Sequence, residues 1–236
     1  MASARATGRE RQTALSDAEA IARYKRAAAR AAADLVQDGM RVGLGTGSTV
    51  AFLLEALGER SLPQARFAAT SPATERTASA LGLTVAGLDE LGELDLTIDG
   101  ADQVDARGWL IKGGGAAQTR EKIVASAARE FVVIVSAEKL VERLHPPVPL
   151  ELVAFAVQTT LGAVGEARLR DAPRSPDGGL IADYLGPIED PAALATRLSA
   201  QPGVVEHGLF APTMVSSILI AGASGVQRRD GAKAQG

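Results

Sequence analysis

Two hydrophobic periods alternate along this chain. Between Ser16 and Asp38, the apolar positions Ile21, Tyr24, Ala28, Ala31 and Leu35 recur at helical spacing. Ser16, with Glu19 three positions on, reads as a capping box, and Asp38-Gly39 reads as the stop. RVGLGTGSTV (41–50) then predicts a short buried strand, a glycine loop and the start of a helix. FAATSPATERTASALG (67–82) repeats that device, with Ser71 as N-cap, Pro72 at the first helical position, and Thr74 and Glu75 in the opening turn. LTVAGL (83–88), DLTID (95–99), FVVIVSAEKL (131–140) and SSILIAG (216–222) predict further strands. Strands that alternate with helices argue an α/β class with a mostly parallel sheet and crossover helices.

The texture changes after HPPVP (145–149), where the prolines mark a boundary. LELVAFA, RLR, LIADYLG and GVVEHGLF read as short strands around a helix over 191–200, which predicts a smaller inserted α+β domain. The expected organisation is a disordered tail over 1–15, a catalytic domain over 16–144 and 212–230, and the small domain over 145–211. The polar end VQRRDGAKAQG is expected to fray.

Composition narrows the function. No apolar run in the 236 residues approaches the ~18 that a membrane span needs, so no membrane partner is expected. A net charge of -3 gives no general attraction to nucleic acid, and 3% aromatic residues leave little to stack bases on. The absence of cysteine removes disulfides, thiolate nucleophiles and cysteine–metal sites, and fits a cytoplasmic protein. His145 and His207 are too far apart for a histidine metal motif.

The candidate chemistry lies between Asp95 and Lys139. Asp99, Asp102 and Asp105 fall at intervals of three after a strand. They are either turn formers or carboxylates that need a cation, a proton or a sugar hydroxyl to relieve their repulsion. Their spacing matches no calcium loop. Lys112 precedes Gly113, Gly114 and Gly115, whose bare amides can line an anion. Glu121 is either an ordinary first-turn glutamate or, beside Lys112, a candidate base. Gly45, Thr46, Gly47, Ser48 and Thr49 form either an anion cradle at a helix N-terminus or a tight turn. They match neither the dinucleotide fingerprint nor the P-loop. Lys25 and Arg26, from spacing alone, read as a solvated helix face.

GLGTGST, TIDGADQVD, IKGGGAAQTREK and GVVEHGLF, in this order, resemble the A-type ribose-5-phosphate isomerase family over residues 20 to 228. The resemblance implies a Rossmann-like large domain, a smaller α+β domain, interconversion of D-ribose 5-phosphate and D-ribulose 5-phosphate, no metal or other cofactor, and a homodimer or homotetramer. Glu121 matches the family's base, Lys112 and the glycine amides its enediolate donors, and Asp99 and Asp102 the aspartates that hold sugar hydroxyls and assist ring opening. The phosphate is expected near Lys25, Gly45 to Thr49, Ser71 and Thr74, and Lys139 at the border of the site. Lys25 thereby leaves the solvated face.

Two departures stand out. Gln103 occupies a position where the family usually has Glu. DGGLIAD (177–183) is shorter than the family's Asp-x-Gly-Asn turn, and its consequences are expected in loop geometry or oligomer contacts rather than in chemistry. Three rival readings are a sugar-phosphate sensor without turnover, a CoA transferase-like enzyme and a related sugar-phosphate isomerase. Glu121 argues against the first, and the lack of a recognisable CoA site against the second.

Overall fold

The apolar run 131–135 is covered on both faces. Val132 and Ile134 pack with Leu44, Phe67 and Ile98, whereas Phe131, Val133 and Val135 pack with Leu110, Phe210 and Ile218. Side chains alternate across a strand, so a run apolar at every position belongs inside a sheet with layers above and below it.

The computed structural model describes residues 8–235. In chain order the elements are α1 (Gly8–Ala33), β1 (Arg41–Leu44), α2 (Ser48–Gly58), β2 (Arg66–Ala69), α3 (Pro72–Ala80), α4 (Leu88–Leu91), β3 (Leu94–Asp99), β4 (Gln103–Val104), β5 (Leu110–Ile111) and α5 (Gln118–Ser126). They continue as β6 (Ala128–Ser136), β7 (Val148–Leu152), α6 (Val157–Val164), β8 (Ala167–Leu169), β9 (Leu180–Tyr184), α7 (Pro191–Ser199), β10 (Val204–His207), β11 (Leu209–Phe210), β12 (Ser217–Gly222) and β13 (Gly225–Asp230).

Six strands form the main sheet in the order β13-β12-β6-β3-β1-β2, all parallel except the edge strand β13. β1 has β2 on one side and β3 on the other, so the chain order reverses at β1. Ligands of open α/β sheets bind at such a point, beyond the strand carboxyl ends. Helix α1 supports the sheet through Ala28, Ala29, Ala32 and Ala33, all buried and small enough for close approach. A second, antiparallel sheet, β10-β7-β9-β8, encloses its own core around Leu150, Tyr184 and Leu198. A small third sheet, β11-β5-β4, links the two through Leu110 and Ile111.

Several expectations change. Helix α1 starts at Gly8, so Ser16 lies inside it rather than at its cap, and residues 8–15 are helical rather than a tail; residues 1–7 lie outside the described part. The segment 83–88 makes only a single bridge beside the edge strand β2, Phe67 to Val85, because too little chain remains before α4 starts at Leu88. The polar terminus does not fray at once. Residues 225–230 pair antiparallel with β12 along its whole length, since backbone pairing needs no apolar side chains on an exposed edge. Helix α6 falls between the segments LELVAFA and RLR, where the sequence pattern assigns no element. Among the described residues, no helix is long and apolar enough to cross a membrane.

Candidate active site

Two carboxyl ends meet at the strand reversal: β1 delivers Gly45 to Thr49, and β3 delivers Asp99. Their approach requires a glycine. A Cβ on Gly45 would lie 1.9 Å from the Asp99 carboxyl. The loop is then tied down, with Gly45 N–H donating to Ile98 O at 3.0 Å and Thr46 N–H to Asp99 Oδ1 at 3.2 Å. Behind it, Thr46 Oγ1 meets Thr70 Oγ1 at 2.8 Å, and Thr74 Oγ1 donates to Gly45 O at 2.9 Å. Ser71 caps α3 by accepting from Thr74 N–H. Ser71 and Thr74 therefore brace the loop and do not line the cavity, a correction to their expected place beside the phosphate.

The front of the loop is open. Helix α2 is capped by Gly47, which has no side chain to satisfy the first-turn N–H groups. Ser48 and Thr49 add hydroxyls, and Lys25 reaches across from α1 to donate to Ser48 Oγ at 3.0 Å. A helix N-terminus, hydroxyls and an ammonium make a ready anion site. Lys139, in the turn after β6, lines the same cavity.

At the other end lies a buried ionic cluster. Lys112 Nζ sits 2.8 Å from Asp99 Oδ2 and 3.2 Å from Glu121 Oε2, and all three side chains are 3% exposed or less. The ammonium donates a hydrogen bond to Gly100 O at 2.6 Å, whereas its two carboxylate contacts are ion pairs without hydrogen-bond alignment. Lys112 directly follows β5, and its amide donates to Gly208 O at 2.9 Å. Gly208 must lack a side chain there, because a Cβ would lie 2.1 Å from Lys112 O.

One positive charge thus faces two carboxylates in a dry site. Burial would push the Lys112 ammonium down, but Asp99 and then Glu121 outweigh it and hold its pKa above the usual range. Burial pushes Asp99 up against the pull of Lys112 and two backbone N–H groups. Burial, and next the Asp99 carboxylate, push Glu121 up to about 8. Like charges this close do not both ionise freely, and Asp99 holds the ionised form better because Gly100 and Thr46 donate to it. Glu121 is the member poised to exchange a proton near neutrality.

Asp102 differs from Asp99. It is exposed, lines the cavity, and accepts from Gly114 N–H at 2.8 Å through Oδ2. Asp105 points elsewhere and builds a turn by accepting from the amides of Arg107 and Trp109. The three aspartates therefore do not converge, and among the described residues no group of three His, Cys, Asp or Glu side chains is placed to hold a metal. Gly113, Gly114 and Gly115 line the same cavity as the β1 loop. The Gly114 amide is engaged by Asp102, while those of Gly113 and Gly115 donate to no protein acceptor among the described residues.

Of the residues singled out in the sequence, Lys25, Thr46 to Thr49, Asp102, Lys112 to Gly115, Glu121 and Lys139 line one cavity. Asp99 and Gly45 stand directly behind it. Gly100 and Ala101 also line it and were missed, although their place in GAD gave the signal. Gln103 is buried, with its amide donating to His145 O at 2.8 Å and accepting from His145 N–H at 2.9 Å. A glutamate could not donate the first of these, so the departure serves the connection into the second sheet.

The DGGLIAD segment fastens the helix that carries Glu121. Asp177 receives a two-pronged contact from Arg120, at 2.8 and 2.7 Å, in the first turn of α5. Beside it, buried Glu151 accepts from Thr119 and Ser175. Lys122, next to Glu121, donates to Glu206 Oε1 and His207 O, both at 2.7 Å. Burial, then Lys122, push His207 down to about 4, so it stays neutral there. The helix that carries Glu121 is thus fastened to the second sheet on several sides. None of these partners is near it in sequence, so no local pattern announced them.

The family model described as Ribose 5-phosphate isomerase A (phosphoriboisomerase A) matches residues 66–225. The ribose-5-phosphate isomerase A of Methylorubrum extorquens is 48% identical over 216 residues, covering 84% of this chain and 92% of that protein. The crystal structure of ribose 5-phosphate isomerase A from Neisseria gonorrhoeae has a TM-score of 0.84 at 33% identity, covering 89% of this chain and 97% of that one. A D-ribose-5-phosphate isomerase in complex with phospho-erythronic acid gives the same TM-score and identity, covering 89% and 99%. A match of this extent in sequence, joined to the same fold, makes this chain a member of the ribose-5-phosphate isomerase A family.

Proposed function

We infer that this chain interconverts D-ribose 5-phosphate and D-ribulose 5-phosphate through an enediolate, the step of the non-oxidative pentose phosphate pathway that its family name describes. The observation that carries the residue assignments is Lys112 held between Asp99 and Glu121 at the edge of a cavity whose far end is an anion cradle. Ionised Glu121 takes the C2 proton of the open-chain aldose and returns it to C1, while the hydroxyl proton moves from O2 to O1. Charge that develops on the enediolate oxygens is met by the Lys112 ammonium and by the amides of Gly113 and Gly115. The phosphate rests on Thr46 to Thr49, with Lys25 and Lys139 beside it. Asp102, exposed to the cavity, is the better placed aspartate to assist ring opening. Asp99, buried behind it, holds Lys112 in position and tunes Glu121.

This reading needs no metal, because Lys112 and the amides take the role a divalent ion would have. The deciding experiment is turnover of D-ribose 5-phosphate by the purified protein in EDTA, where full activity is expected. Activity only after a divalent ion is restored would overturn the assignment of Lys112. Binding without turnover under any condition would make the protein a sensor.

The protein also acts as a homodimer or homotetramer in this reading. Phe155 is 86% exposed, and the nearby strand edge leaves Val153 and Val205 about half exposed, an apolar surface suited to a second copy. Sedimentation of a single-chain mass at micromolar concentration would refute that. The absence of cysteine supports a cytoplasmic setting.

A further inference from the structure

We propose that Arg170, which follows β8 in the second sheet, is a positioning residue for the isomerisation: it fixes the Gly113–Gly114 and Gly114–Gly115 peptide planes, so that Gly114 N–H holds Asp102 and Gly115 N–H is left to face the substrate. The proposal rests on the reading of that loop as the enediolate donor.

The guanidinium is held on one side and works on the other. Its Nε donates to Asp183 Oδ2 at 3.0 Å, and Nη2 donates to the second oxygen of the same carboxylate. Nη1 donates to both Gly113 O at 3.1 Å and Gly114 O at 3.2 Å. The arginine backbone is fixed as well, through its own N–H to Ile181 O at 2.9 Å. Arg170 is not among the residues that line the cavity, so it stands behind the loop.

Peptide geometry carries the argument forward. In a trans peptide the C=O of one residue and the N–H of the next point in opposite directions. Holding Gly113 O toward Arg170 therefore turns Gly114 N–H away from it, and that amide meets Asp102 Oδ2 on the cavity side at 2.8 Å. Holding Gly114 O in the same way turns Gly115 N–H away from Arg170, where it donates to no protein acceptor among the described residues. Three consecutive glycines lack any side-chain restraint on φ and ψ. A turn bond from Ala116 N–H to Gly113 O at 3.0 Å holds the first carbonyl in part, and the outside clamp on both successive carbonyls completes the restraint, because a guanidinium forked onto a carboxylate is rigid enough to impose it. The positive charge beside both carbonyls also polarises those peptides and strengthens their N–H groups as donors.

The test compares Arg170→Met, Arg170→Lys and Asp183→Asn with the unchanged protein. Turnover, thermal unfolding, and affinity for phospho-erythronic acid and for inorganic phosphate are measured for each. Phospho-erythronic acid presents a carboxylate where the enediolate charge develops, whereas inorganic phosphate reads only the cradle. Arg170→Met is expected to lower kcat roughly 10- to 100-fold and to weaken phospho-erythronic acid by a similar factor. Inorganic phosphate affinity should not change. Arg170→Lys, which cannot serve two carbonyls and a carboxylate together, should fall between the two. Asp183→Asn should give the smallest loss. Unchanged kcat in Arg170→Met, or equal losses of both ligands, overturns the proposal. Should Arg170→Met not fold, the other two variants decide in the same way. Glu121→Gln is run in parallel. If it kept full turnover, the base assignment would fail, yet phospho-erythronic acid affinity requires no proton transfer and would still judge the clamp.

Discussion

At the cradle end of the cavity, Thr46, Ser48 and Thr49 offer neutral hydroxyls and a helix N-terminus beside a half-buried Lys25. At the opposite end, Asp99, Lys112 and Glu121 are ionisable groups in nearly complete burial. The contrast matches the function proposed for each end. A phosphate arrives with its charge already in place, so solvated dipoles suffice to hold it, and losing one weakens binding uniformly. Charge on an enediolate exists only in passing, and a dry site magnifies each fixed group that meets it. Substitutions should therefore act on different quantities at the two ends.

The largest combined effect belongs to Lys112→Met, which leaves two buried carboxylates without their cation. Stability should fall by about 3–5 kcal/mol and kcat by roughly 10²–10³-fold. Urea unfolding and initial rates measure the two. Stability left intact would mean that the carboxylates do not depend on their lysine. Glu121→Gln comes next and separates the two quantities. It should lower kcat by about 10²–10⁴-fold while ribose 5-phosphate still binds and the fold is no weaker, because the amide carries no buried charge. Loss of binding in a titration would assign Glu121 to the substrate's grip rather than to the proton.

The pH profile of the unchanged protein sharpens the same point. Glu121 acts as base only when ionised, so kcat/KM should rise with pH through about 8. A rise completed at about pH 4–5 would return Glu121 to an ordinary carboxylate. Linkage gives stability the opposite slope. The folded pKa lies above the ordinary 4.5, so this group's contribution to stability is full below 4.5 and is lost as pH rises through about 8. The smallest effect belongs to the cradle. Ser48→Ala removes one hydroxyl and should raise KM roughly 3- to 10-fold with kcat unchanged.

The same division governs what the sequence reveals. GTGST, DGAD and KGGG are contiguous, each sits where a strand ends, and each could be read from spacing and residue type. GTGST and DGAD follow β1 and β3, whose carboxyl ends lie side by side in the parallel sheet, whereas KGGG follows β5 of the antiparallel third sheet and joins them in the sequence only through the family resemblance. The fasteners were not legible. Arg170 with Asp183, Arg120 with Asp177, and Lys122 with Glu206 join residues 13, 57 and 84 positions apart. An isolated arginine or aspartate on a surface strand has no signature until its partner is in place. β13 escaped for a related reason: its pairing is made by the backbone, while polar VQRRD advertised a loose end.

The line between touching and fastening also falls along the order of synthesis. Every residue lining the cavity has been made once Lys139 emerges, and the strands β1, β2, β3 and β6 can already pair at that stage. Arg170, Asp177, Asp183 and Glu206 come later, as does β12 on the far side of β6. A nascent chain can therefore own a complete set of contact residues while its glycine loop and the Glu121 helix are still unclamped. Domains form from the N-terminus onward as they leave the ribosome. On the proposed assignment, the residues that would hold the phosphate are made early in that sequence, and Arg170, Asp177, Asp183 and Glu206, which fasten the glycine loop and the Glu121 helix, arrive with the last third of the chain.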